Sequence, residues 1–134
     1  MNISAHAVKK SKIPGVAAAK KQAEPSKKAP FADKIPFIRS LILDSVKPGV
    51  VKKIYLFGSY AYETATEDSD IDLCVVINNR FSDHTQYMKM ALSLSYNDIR
   101  PVDLLVYKEK QFYNNTNPKG IKNTILAEGK VLYG

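Results

Sequence analysis

Residues 54–77 read Ile54-Tyr55-Leu56-Phe57-Gly58-Ser59-Tyr60-Ala61-Tyr62-Glu63-Thr64-Ala65-Thr66-Glu67-Asp68-Ser69-Asp70-Ile71-Asp72-Leu73-Cys74-Val75-Val76-Ile77. Two short apolar runs, Ile54 to Phe57 and Leu73 to Ile77, flank a polar stretch that opens on Gly-Ser and closes on Asp-x-Asp. Both runs are rich in β-formers and bounded by turn residues, so both read as strands. The stretch therefore spells strand, turn, short helix, strand.

Side chains on a strand repeat with period two, which puts Asp70 and Asp72 on one face with Cα atoms about 7 Å apart. Cys74 and Val76 continue that face, and Leu73, Val75 and Ile77 take the other. Two carboxylates held together against an apolar strand repel each other and resist ionisation unless a positive group sits between them. Oxygen ligands without a Cys/His set suit Mg²⁺ better than Zn²⁺. Opposite the acids, Gly58 lets backbone approach a ligand closely, and Ser59 opens a helix whose free N–H groups favour phosphate. Each piece also has a plainer reading: a capped strand-to-helix turn for Gly58-Ser59, and an exposed strand start for Asp70 and Asp72. A third acid, Asp103, in Pro101-Val102-Asp103-Leu104-Leu105-Val106-Tyr107, would alone be an edge-strand carboxylate. Three acids able to converge beside a phosphate-binding turn make chemistry the better reading.

Gly58-Ser59, the ten-residue spacer Tyr60 to Ser69, and Asp70-x-Asp72 resemble the signature of the nucleotidyltransferase superfamily typified by DNA polymerase β. The likeness is greatest to its minimal nucleotidyltransferases, the antitoxin type of HEPN/MNT pairs, and it covers roughly residues 33–134. The resemblance implies the nucleotidyltransferase fold and transfer of AMP from ATP to a hydroxyl with release of pyrophosphate. Asp70, Asp72 and Asp103 would be the catalytic acids and would hold Mg²⁺, Asp103 also helping to deprotonate the acceptor. Gly58 and Ser59 would bind the outer phosphates of the nucleotide. Small members of the family act beside a HEPN-type toxin that they silence by adding AMP to a tyrosine. Relatives that modify aminoglycosides carry a further helical domain not expected here, which favours a protein acceptor. The alternative is a non-catalytic binding antitoxin that neutralises its partner by contact. One departure stands at Glu63, where relatives have Gly. A left-handed backbone there would cost a non-Gly residue roughly 1–2 kcal/mol, and a carboxylate near a triphosphate would weaken the enzyme; a solvent-facing Glu63 would be neutral.

The 134 residues, 45% of them hydrophobic, suffice for one domain with a real core. The net charge of +7 is unevenly spread. Residues 1–30 hold seven lysines, seven alanines, three prolines and the single acid Glu24, about +6 in all, whereas thirteen basic and twelve acidic residues follow. The expected division is thus a disordered basic tail over 1–30 and a catalytic domain over 31–134. Nucleic acid is not expected as a partner, except weakly through the tail. With no apolar run of eighteen residues and no signal-peptide core, neither membrane insertion nor secretion is expected, and the lone Cys74 agrees with a cytoplasmic place.

The remaining pattern predicts an amphipathic helix over 33–46, capped by Asp33 and stopped by Pro48-Gly49. Strands are expected over 50–57, 70–78 and 102–107, and helices over 82–96, 108–114 and 120–128. Tyr87, Met90, Ala91 and Leu94 form the apolar stripe of the long helix, and Val131 to Tyr133 makes an extended tail. The fold class is α/β, or α+β: a small mixed sheet with helices mainly on one face.

Overall fold

A computed structural model describes residues 32–99, 102–114 and 117–134. The basic stretch 1–30 lies outside the described residues, as do Arg100 and Pro101 before the third expected strand. Helix α1, Ile35–Asp44, accepts Pro36 because the first turn needs no backbone N–H from it. Its cap is Lys34, which makes no side-chain capping bond, while the expected cap Asp33 sits in the preceding turn Ala32–Lys34. Ile38 and Ile42, one turn apart, are fully buried. Each such side chain contributes about 1.5–3 kcal/mol on burial.

Strands β1 (Val51–Phe57) and β2 (Ile71–Ile77) are antiparallel, with the one-turn helix α2 (Ser59–Tyr62) between them. Helix α3 (Asp83–Tyr96) carries the chain across to β3 (Val102–Lys108), which runs parallel to β2. Helices α4 (Glu109–Tyr113) and α5 (Ile121–Glu128) follow, and β4 (Lys130–Tyr133) ends the chain. The four strands lie in the order β3-β2-β1-β4. Val131 to Tyr133 is thus more than an extended tail: it pairs antiparallel with β1 and completes the sheet. A register shift between Val51 and Lys53 turns Val51 onto the same side as Ile54, which explains why both are buried in one core.

The sheet has two covered faces. Ile54, Leu56, Leu73, Val75, Ile77 and Leu104 meet Ile38 and Ile42 of α1 and Met90 and Leu94 of α3. On the opposite face Tyr55, Cys74 and Val76 pack under Phe112 of α4 and Ile125 of α5. The two longest helices share the first face, and the fold is the mixed α/β arrangement expected. Cys74 is the buried thiol at the centre of the second face, where desolvation pushes its pKa up to about 12. Along α3 the buried stripe is Gln86, Met90 and Leu94, with Tyr87 only half-buried. Gln86 is the one polar side chain among the described core residues, and its Oε1 has no protein partner. Ser82 caps α3 by accepting from the Thr85 N–H at 3.2 Å, and His84 is exposed, as expected of a solvent-facing residue. No helix among the described residues is long and apolar enough to cross a membrane.

Candidate active site

The C-terminal end of β1 and the N-terminal ends of β2 and β3 meet at one edge of the sheet. Register places Phe57, Asp72 and Asp103 in a single row across the three strands. Because facing residues share a face, Asp72 and Asp103 project together on the side that continues into Cys74 and Leu105. Asp70 lies just before β2, partly buried, so the period-two argument reaches it only as an extrapolation of the strand. Its charge is nonetheless felt at both of the others. Burial first, then Asp103, then Asp70, lift the Asp72 carboxyl from an ordinary 3.8 to about 6. Asp103 is raised by burial and by Asp70. The strand-borne pair is therefore held in an environment that disfavours negative charge, which a cation would reverse.

Gly58 closes the row from above. Its φ of 73° and ψ of −157° lie where only glycine is comfortable, and a Cβ added there would strike the Asp72 carboxylate. Glycine is required twice over, for backbone and for room beside the acid. The Gly58 carbonyl accepts from Ala61 N–H at 2.9 Å and Tyr62 N–H at 3.2 Å, and the Ser59 carbonyl accepts from Thr64 N–H at 2.9 Å. These bonds fold Ser59 to Tyr62 into one tight turn with Tyr60 and Ala61 buried beneath it.

Glu63 caps that turn in the left-handed region, φ 62° and ψ 32°. The strain anticipated for a non-glycine residue is present. Its carboxylate is exposed and pairs with Lys130 Nζ at 3.3 Å. Next to it, the Tyr62 hydroxyl donates to the Glu128 carboxylate. Glu128 and Lys130 belong to the α5–β4 elbow, more than sixty residues later, and no sequence signal pointed to them. Phe57, half-buried beside Asp72, was likewise read only as the last residue of a strand.

The residues present fit a hard divalent cation by their chemistry: an all-oxygen set of carboxylates, two of them with raised pKa values, beside a glycine whose missing side chain leaves space at the acid. Among the described residues no three or more His, Cys, Asp or Glu side chains already stand grouped as a metal-binding cluster. The structure thus sets Asp103 in register with Asp72 and Gly58 against the Asp72 carboxylate, with Ser59 beside Gly58 and Asp70 at the strand entrance.

Comparison with known proteins identifies the family and the fold. The family described as Polymerase beta, Nucleotidyltransferase matches residues 42–134. A protein of Methanocaldococcus jannaschii named "Putative protein adenylyltransferase" is 38% identical over 91 residues, which cover 68% of this chain and 87% of the relative. A crystal structure of a toxin–antitoxin with AMP-PNP superposes with a TM-score of 0.55 at 25% identity, covering 75% of this chain and 73% of that one. A toxin–antitoxin MntA–HpeT mutant shares the fold, with a TM-score of 0.53 at 24% identity over 73% of this chain and 70% of that one. The chain belongs to the polymerase β nucleotidyltransferase family and is a transferase.

Proposed function

We propose that the protein is a Mg²⁺-dependent protein adenylyltransferase that moves AMP from ATP onto a hydroxyl, a tyrosine of a HEPN-type toxin for which it is the antitoxin. The observation that carries this reading is the in-register pair Asp72 and Asp103, with Gly58 against Asp72, in a chain 38% identical over 91 residues to a protein named "Putative protein adenylyltransferase". The solved toxin–antitoxin with AMP-PNP supports an adenine nucleotide as substrate and a toxin as partner.

Asp70, Asp72 and Asp103 would hold Mg²⁺, which when bound neutralises triphosphate charge and favours attack at the α-phosphorus. Gly58 leaves room for a phosphate oxygen against the strand end, and Ser59 offers its hydroxyl and backbone N–H to the outer phosphates. Asp103, with its proton affinity raised by burial, accepts the proton of the incoming hydroxyl. The tyrosine oxygen then bonds to the α-phosphorus as the bond to pyrophosphate breaks. The partner chain excludes water from the open edge of the sheet and so favours transfer over hydrolysis of ATP.

The test is to incubate the protein, ATP, Mg²⁺ and the purified toxin partner and to map the product by tandem mass spectrometry. AMP on a tyrosine of the partner is expected, lost in Asp72→Asn. A stable complex without a modified residue would establish the contact-only antitoxin instead.

A further inference from the structure

Two contacts join the turn after β1 to the far end of the chain. Tyr62 Oη donates to the Glu128 carboxylate, and Glu63 Oε2 lies 3.3 Å from Lys130 Nζ. All four side chains are exposed, so neither contact comes from burying surface. The elbow that supplies Glu128 and Lys130 is itself pinned. Lys130 pairs in register with Leu56, two residues before Gly58, and a Cβ on Gly129 would collide with the Ile125 carbonyl and crowd that of Leu56. The elbow therefore forms a fixed bank against which the turn can lean.

The turn needs such support. It has four helical residues and no side-chain capping bond, and it closes through a non-glycine residue in the left-handed region. The Glu63 N–H donates to the Ser59 carbonyl, as does Thr64 N–H. Whatever fixes Glu63 thus fixes the peptide of Ser59, and Gly58 and Ser59 move with it against Asp72.

We propose that the elbow Glu128-Gly129-Lys130 is a clasp for the nucleotide turn, with Glu128 and Lys130 acting as positioning residues through Tyr62 and Glu63. The clasp sets how tightly ATP is held, and its salt bridge keeps the Glu63 carboxylate turned toward a cation and neutralised. This rests on the reading of Gly58 and Ser59 as the nucleotide-binding turn.

The experiment uses the full chain carrying Tyr62→Phe with Lys130→Met, and the charge exchange Glu63→Lys with Lys130→Glu. Amide hydrogen exchange at residues 61–64 is measured without nucleotide, and binding of α,β-methylene-ATP with Mg²⁺ by calorimetry. In the double variant, exchange at 61–64 is expected to quicken and the Kd to rise about threefold to tenfold. The exchange pair should restore the slow amide exchange, and the melting temperature should move by less than about 3 °C. Unchanged exchange in the double variant, failure of the charge exchange to restore it, or a collapse of melting temperature would overturn the clasp. Wild-type protein that binds no nucleotide would instead overturn the proposed function, and the exchange rates would still decide the clasp.

Discussion

Asp72 of β2 and Asp103 of β3 stand directly opposite each other across a parallel strand pair, with Gly58 against the Asp72 carboxylate. Parallel pairing puts both acids at the same end of the sheet, and α3 is the crossover that makes the pairing parallel. A long amphipathic helix between the second and third acids is therefore as necessary to the site as the acids themselves.

The Asp72 carboxyl has its pKa raised to about 6, so the folded protein holds that proton more tightly than the unfolded chain does. Stability from this group is fully present below about pH 4 and is lost as pH rises through about 6. Asp72 is partly exposed, so solvent screening reduces the effect to about 1 kcal/mol. Asp72→Asn should raise the melting temperature at pH 7.5 by roughly 4–8 °C and leave it unchanged at pH 4. Differential scanning calorimetry at the two pH values decides it. An equal shift at both would remove the electrostatic cause.

Mg²⁺ adds the complementary arm. At pH 7.5 millimolar Mg²⁺ with ATP should raise the melting temperature of the wild type, because ligand bound only by the folded state stabilises it. The same addition should do little for Asp72→Asn. A similar gain in both proteins would place the ion elsewhere.

Gly58→Ala should cost about 2–4 kcal/mol in urea unfolding. The new side chain would add a strained backbone to a collision with the Asp72 carboxylate. A variant as stable as wild type would mean that the turn relaxes freely.

Much of the fold, and the placement of the candidate acids, was legible because it is local. The β-former runs on either side of Gly58 and Asp72 marked the two central strands, and the stripe with Met90 and Leu94 announced the long helix that covers them. The third acid was legible because Asp103 opens its own apolar run. What stayed hidden was non-local or carried too few residues to show a period. Val131 to Tyr133 becomes a strand only because β1 offers an edge, and Gln86 lies on the buried stripe one turn before Met90 but, being polar, does not enter an apolar pattern. Asp33 fails to cap because the chain enters α1 through a tight turn ending at Lys34. The pairing of Glu63 with Lys130 spans 67 residues, beyond any pattern in the chain.

Glu63→Gly tests the backbone at the turn. Relief of a left-handed non-glycine residue is worth about 1–2 kcal/mol, against about 0–1 kcal/mol for the lost exposed pair with Lys130. The melting temperature should rise by a few degrees. A fall would show that the pair outweighs the strain.

Asp103→Asn should lower kcat by a hundredfold or more, roughly the contribution of a proton acceptor, while the KM for ATP changes little. Steady-state kinetics against ATP, at saturating partner, give the two constants. A loss confined to KM would assign Asp103 to nucleotide binding alone.

The central claim is AMP transfer carried by these acids, and the most direct measurement compares ATP labelled at the α-phosphate with ATP labelled at the γ-phosphate. With Mg²⁺ and the toxin partner, α-label should enter the partner with one pyrophosphate released per label, γ-label should leave as pyrophosphate, and Asp72→Asn should do neither. Label entering from the γ-position, or no label entering with folded protein and partner, would contradict the account.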